Sequence, residues 1–228
     1  MAHRQPRCGS KAAPIPSETP VKLYYKPGAC SLSPHIALRE AGLAFELERV
    51  NTKAGMTASG RDFAPLNPKG YVPVLELDDG TLLTEGSVIV QYVADLKPEA
   101  KLAPPPGSLE RYRLQEWLNY VATELHKSFS SLYNAGAPAE WKQVVREQIA
   151  AKFDYLSRQL EGRSWLLGEQ FTVADAYLVT ILTWCRSLEV DLARWPTLKD
   201  YLERGISRPA VQAAARAEGL LWADRPGP

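Results

Sequence analysis

Cysteine is scarce in this chain. Three residues among 228, Cys8, Cys30 and Cys185, make an odd count at spacings that suit neither a disulfide framework nor a zinc site. No metal is expected, and a reducing cytoplasm is the expected location. An excess of charge of one sign is lacking too: 27 Lys and Arg against 26 Asp and Glu leave a formal net charge of +1. That balance provides no field to gather phosphate backbones or anionic lipids, so neither nucleic acid nor a membrane is expected as a partner. No uninterrupted apolar stretch approaches the roughly 18–20 residues that cross a bilayer. The first twenty residues are basic and rich in Pro and Ser but lack the apolar centre of a secretory signal, and are expected to form a disordered extension. Internal repeats are missing as well. What is present, 45% hydrophobic and 23% charged residues, is the make-up of an ordered globular chain with length for one large or two modest domains.

The division falls at KPEAKLAPPPGS, residues 97–108, where Pro104, Pro105 and Pro106 forbid helix continuation and favour a stiff, extended connection. The expected organisation is a domain over 21–100, a Pro-rich linker over 101–107 and a second domain over 108–228. The first domain reads as strand, helix, strand, helix, strand, strand, helix; the second contains only helical patterns. Val21–Tyr25 is β-prone, Ser33 is placed to cap a helix with Pro34 at its first position, and Gly42 stops that helix. Phe45 and Leu47 alternate with Glu46 and Glu48 at strand period. Asp79-Gly80 suits the positive φ values of a tight hairpin turn between Val74–Leu77 and Thr81–Thr84. Val88, Ile89, Tyr92, Val93 and Leu96 then recur at helical spacing. In the second half a long helix is expected from about Leu109 to Tyr133, another over Trp141–Leu160, and a nearly all-apolar one over Ala176–Leu188. Thr172 and Asp175 precede it as a capping box, and two short helices over 198–204 and 210–221 complete the pattern.

Several residues carry chemistry. Cys30 lies in the turn between the first strand and first helix, where free amides and the positive end of the helix dipole favour thiolate, the reactive form. A dithiol oxidoreductase would need a second Cys at position 33, but Ser33 stands there, so a mixed disulfide at Cys30 would need an external small thiol for its release. In Tyr71-Val72-Pro73-Val74, a cis bond before Pro73 would present the amide and carbonyl of Val72 to an extended peptide pairing as an added strand. The amides of Gly86 and Ser87 with the Ser87 hydroxyl are suited to a carboxylate, and Glu85 to an ammonium, which together match an amino-acid head. Asn119, Thr123 and His126 fall at i, i+4 and i+7, one stripe of the long helix, where His126 is able to donate to a sulfur. Lys127 reads as a solvated charge, and Cys185 as packing.

The segments KLYYKPGACSLSPHIALREAG, NPKGYVPVLELDDGTLLTEGSVIVQYVADLKP, EWLNYVATELHK and FTVADAYL, in this order, resemble a cytosolic glutathione S-transferase, most closely of the bacterial beta class. The resemblance runs from Val21 to about Leu221. It implies an α/β thioredoxin-like N-terminal domain plus an all-α C-terminal domain, a homodimer, and glutathione as cosubstrate. By the same resemblance, Cys30 matches the active-site cysteine with Ser31 beside it, Val72 and Pro73 the backbone clamp, and Glu85, Gly86 and Ser87 the γ-glutamyl site. His126 matches the helix histidine near the thiol, and Asn119 and Thr123 match positions approaching the site, some across the dimer interface. Tyr71 stands where close relatives often carry Gln, and Gly55 where a Lys often holds the glycyl carboxylate, with Lys53 near enough to substitute. The implied activity is transfer of glutathione to a small, mostly apolar electrophile positioned by Trp184. Thiol–disulfide exchange through Cys30 and a non-catalytic binding role are the alternatives.

Overall fold

The structure is a computed structural model, and it describes residues 21–224. The expected extension over the first twenty residues, with Cys8, lies outside the described residues.

A five-stranded sheet forms the N-terminal half, from β1 (Val21–Tyr25), β2 (Phe45–Asn51), β3 (Met56–Thr57), β4 (Val74–Glu76) and β5 (Leu82–Thr84) in the order β3-β2-β1-β4-β5. β1 and β2 run parallel while the other pairs are antiparallel. A parallel pair demands a crossover, and α1 (Leu32–Glu40) supplies it. Leu23 sits opposite both Leu47 and Leu75 and is completely buried. All seven residues Leu32–Leu38 of α1 are buried, because the helix is covered by the sheet on one side and by helices of the C-terminal half on the other. α2 (Gly86–Leu96) completes the layer on that side.

Four local expectations are corrected. No helix forms between β2 and β4: Pro65 and Pro68 break the segment, which runs through turns such as the one closed by the Leu66 and Asn67 amides on the Phe63 carbonyl. α1 begins at Leu32 rather than at Pro34, and Ser33, inside it, turns its hydroxyl onto the Cys30 carbonyl at 3.1 Å. In the hairpin only Gly80 takes a positive φ, +81°, while the Asp79 carboxylate accepts the Thr81 amide at 2.8 Å. Val88 is exposed; Ile89, Val90, Val93 and Ala94 form the buried face of α2.

The C-terminal half is helical, as expected. The long first helix comprises α3 (Leu109–Tyr120), a π-helical turn over Val121–His126 and α4 (Lys127–Leu132). α5 (Ala139–Leu160), α6 (Val173–Ser187), α7 (Pro196–Ile206) and α8 (Pro209–Ala217) follow. Every residue from Val173 to Cys185 is buried, so α6 is the axis of this half. The Thr172–Asp175 capping box starts it, and the buried Asp175 carboxylate also accepts the Leu166 amide and the Tyr201 hydroxyl, each at 2.8 Å.

The halves are joined at one glycine. Gly28, with φ +69°, donates its amide to Glu218 Oε2 at 2.9 Å and accepts the Trp184 indole N–H on its carbonyl at 2.8 Å. A Cβ there would lie 3.3 Å from Leu220, so both conformation and space favour glycine. Glu218 Oε1 meets His35 Nδ1 at 2.9 Å, and Arg39 Nε meets His35 Nε2 at 2.9 Å. A guanidinium only donates, so Nε2 accepts, Nδ1 carries the proton, and His35 donates to Glu218. Replacing Glu218 with Ala strands the buried His35 imidazole N–H, at about 1–3 kcal/mol, and the half-buried Gly28 amide, at less because water reaches it. Urea unfolding of Glu218→Ala is expected to show about 3 kcal/mol lost, and a loss under about 0.5 kcal/mol, the scale of an ordinary surface substitution, would contradict the clamp.

Candidate functional site

A cavity of about 530 Å³ opens where the end of β1, the Val72 turn and the start of α2 face the π-helical turn and α6. Cys30 forms its floor. The turn 26–31 that carries Cys30 is closed by Ser31, whose hydroxyl oxygen accepts the Lys26 amide at 3.1 Å. Ser31 is therefore fully buried and lies beneath the cavity rather than on its wall.

The protonation state of Cys30 departs from the sequence-based expectation. Burial pushes the thiol up to about 11, overcoming the backbone amides of Cys30 and Ser31 and the Lys127 ammonium, which act in the opposite direction. The helix start does pull on the sulfur, but desolvation wins. The thiol is held as a donor, Sγ lying 3.4 Å from the Val72 carbonyl oxygen. That carbonyl belongs to the residue before Pro73, and the Val72–Pro73 bond is cis. Asn67, buried, anchors the next carbonyl back, its Nδ2 donating to Tyr71 O at 2.7 Å.

At the other end of the cavity, Glu85 precedes α2 with φ +69° and ψ 114°. A non-glycine residue in this region costs on the order of 1–3 kcal/mol, the kind of strain that clusters at functional sites. The Val88 and Ile89 amides return to the Glu85 carbonyl, which leaves Gly86 and Ser87 with first-turn amides that have no intrahelical partner. The Glu85 carboxylate pairs with the Lys69 ammonium.

The opposite wall comes from the helices. His126 Nδ1 lies 2.8 Å from the Tyr177 hydroxyl. Burial, with Lys127 second, pulls the imidazole down to about 4, so the ring is neutral around pH 7. Tyr177 is buried, and His126 is its hydrogen-bond partner among the described residues. The phenol therefore satisfies its single proton by donating to Nδ1, and the ring N–H sits on Nε2. Ala122, His126, Lys127 and Ser130 line the cavity. Asn119 and Thr123 do not, since Thr123 donates back to the Asn119 carbonyl at 3.0 Å on the exposed side. The expected stripe assumed an unbroken α-helix, but the wider i→i+5 turn at Val121–His126 rotates His126 off it.

Two further expectations are corrected. Lys53 lines a neighbouring depression with Arg49 and not the main cavity, whereas Lys26 lines both. Trp184 is no part of the cavity wall: it is buried, stacks edge-on against His126 with ring centroids 5.1 Å apart, and spends its N–H on Gly28. Cys185 is buried packing, as expected. The residues that sequence reasoning missed are Tyr177, Lys127, Lys26, Asn67 and Lys69. Tyr177 left a signal: a hydroxyl on an otherwise apolar buried helix needs a partner.

Comparison with known proteins accords with this arrangement. The profile of the Glutathione S-transferase, N-terminal domain, matches residues 28–96, and that of the Glutathione S-transferase, C-terminal domain, matches residues 116–209. Glutathione S-transferase GstA of Escherichia coli O157:H7 is 47% identical over 200 residues, 88% of this chain and 100% of its own. A solved ternary complex of BphK, a bacterial GST, is 56% identical with TM-score 0.86, covering 87% of this chain and 100% of that one. A sphingomonad glutathione S-transferase complexed with glutathione is 44% identical with TM-score 0.85, covering 87% and 99%. A Sphingomonas chungbukensis enzyme described as bacterial beta class is 42% identical with TM-score 0.85, covering 88% and 100%. This chain belongs to the glutathione S-transferase family, and the thioredoxin-like plus all-α architecture expected from the sequence is the one observed.

The geometry makes Cys30 a protonated thiol over the whole neutral range. The thiolate ultraviolet absorbance that distinguishes the native chain from Cys30→Ala is expected to emerge only as pH rises toward about 11. A midpoint at or below the ordinary cysteine value of about 8.5 would show that the helix start dominates after all.

Proposed function

We propose that this chain is a glutathione transferase that conjugates the thiol of reduced glutathione to small electrophiles. The observation that carries the reading is one cavity holding three features in a row: the cationic side chain of Lys26, a backbone edge at Val72 with the Cys30 thiol 3.4 Å from its carbonyl, and the open amides of Gly86 and Ser87 beside Glu85. An extended tripeptide has complementary features in the same order. Its cysteinyl backbone pairs with Val72 beside Pro73, its α-carboxylate takes the Gly86 and Ser87 amides, and its ammonium takes Glu85, displacing Lys69. Its glycyl carboxylate goes to Lys26 in place of the expected Lys53. The cavity volume lies within the ~300–1,000 Å³ usual for small-molecule sites.

The sulfur then sits between two donors, His126 Nε2–H and Cys30 S–H, the latter turning its one proton from the Val72 carbonyl, which the cysteinyl amide takes over, onto the sulfur. Donors aimed at developing negative charge in a partly dry site favour thiolate over thiol. The thiolate sulfur attacks the electrophilic carbon, the new C–S bond forms, and the leaving group departs with its electron pair. Cys30 is a poor nucleophile in this setting: a thiol with a value of about 11 is about one part in ten thousand thiolate at pH 7. This favours conjugation over thiol–disulfide exchange. Gly55 has φ +66° and accepts the Phe63 amide on its carbonyl, a conformation that favours a glycine there. We further infer a cytoplasmic homodimer. Its support is the exposed apolar side chains Val88 on α2 and Leu109 and Tyr112 on α3, two helices linked by the Arg111–Asp95 ion pair. No helix among the described residues is long and apolar enough to cross a membrane.

Calorimetry is expected to show reduced glutathione binding at or below millimolar concentration, and no heat at that level would sink the transferase reading. With a chlorodinitrobenzene as electrophile, Cys30→Ala is expected to keep conjugation within about tenfold of the native rate, the worth of one hydrogen bond. A loss beyond about a thousandfold would instead give Cys30 a covalent role.

A further inference from the structure

The thiol end of the cavity holds one cation that the tripeptide does not use. In the assignment above, the α-carboxylate, the ammonium and the glycyl carboxylate are matched by the start of α2, by Glu85 and by Lys26. Lys127 is left over. It follows His126 directly, at the first position of α4, and lines the cavity with Ser130 one turn further on. Lys69, which the ligand's ammonium frees from Glu85, stays at the other end of the cavity on the Thr84 hydroxyl, whereas Lys127 makes no ion pair among the described residues. Its side chain is exposed at the rim of the cavity, and its charge is felt by both Cys30 and His126, so it faces solvent on one side and the thiol end of the cavity on the other. The wall around it is small and partly apolar, with the methyl of Ala122 and the ring of Tyr177. Trp184, the apolar group expected to bind a substrate, is turned away.

We propose that the electrophile accepted here is anionic, an aryl or alkenyl skeleton bearing a carboxylate, which Lys127 and the Ser130 hydroxyl hold while the skeleton lies against Ala122 and Tyr177. The inference rests on the transferase reading and narrows its substrate. The charge decides the preference: the Lys127 ammonium attracts a carboxylate held within a few ångströms of it and gives a neutral ester no such attraction. For an aryl halide, the glutathione sulfur bonds to the ring carbon, the carbon–halogen bond breaks, halide leaves with the electron pair, and the thiol proton goes to solvent.

The test compares a chloronitrophenylacetate with its methyl ester, the methylene insulating the ring from the charge. Each kcat/KM is divided by the uncatalysed rate with glutathione. The native chain is expected to prefer the acid by up to about fivefold, the preference shrinking at high salt as screening shortens the reach of the charge. In Lys127→Met the acid-to-ester ratio is expected to fall to about one, and in Lys127→Arg to recover. Because the ratio is read, any help that Lys127 gives the sulfur cancels. An ester turned over as well as the acid, or a ratio unmoved by Lys127→Met, overturns the proposal and leaves the transferase reading standing. Failure of both compounds, with no glutathione binding by calorimetry, brings down both.

Discussion

The structure depends on the capture of one peptide unit, Gly28, from both sides. Its amide is taken by a carboxylate 190 residues later and its carbonyl by an indole 156 residues later. The turn bearing Cys30 is thereby a product of the interface between the two halves. β1 delivers it, α6 and the segment after α8 hold it, and only then does the thiol face the Val72 carbonyl. A free loop at this point would leave the thiol without a fixed direction. Two part-buried hydrogen bonds on a left-handed glycine remove that freedom, and His35 and Arg39 in turn orient the Glu218 carboxylate.

Competition between desolvation and helix-start electrostatics decides what the site does with sulfur. The first-turn amides and Lys127 favour a thiolate at position 30, but burial outweighs them. The same burial keeps His126 neutral and lets Tyr177 choose which ring nitrogen carries the proton. The outcome is two neutral groups, the Cys30 thiol and the His126 imidazole, on the walls of one cavity. Neutral donors stabilise an incoming thiolate without offering a rival nucleophile or forming a buried ion pair, whose desolvation would offset much of its attraction.

Much of this was legible in the sequence where the signal was local. Val21–Tyr25, the stop at Gly42, the hairpin around Gly80 and the Thr172–Asp175 capping box each rest on residues a few positions apart, and each is present in the structure. The order of motifs carried the family. What could not be read depends on partners distant along the chain or on a departure from regular geometry. Trp184 looked like a substrate-binding surface because its indole is large and apolar, yet its N–H is committed to Gly28. Asn119 and Thr123 were placed with His126 by α-helical arithmetic that a π-helical turn invalidates. The helix start, which a sequence shows, favours a thiolate at Cys30, while the burial that keeps it a thiol depends on walls a sequence does not show.

The most direct test of the account is a crystal structure of the chain grown with reduced glutathione. It predicts the tripeptide extended along the Val72 edge, its sulfur within hydrogen-bond reach of both Cys30 Sγ and His126 Nε2, and its amino-acid head at the Gly86–Ser87 amides. A sulfur lying away from both donors, or density for the peptide elsewhere on the molecule, would contradict it.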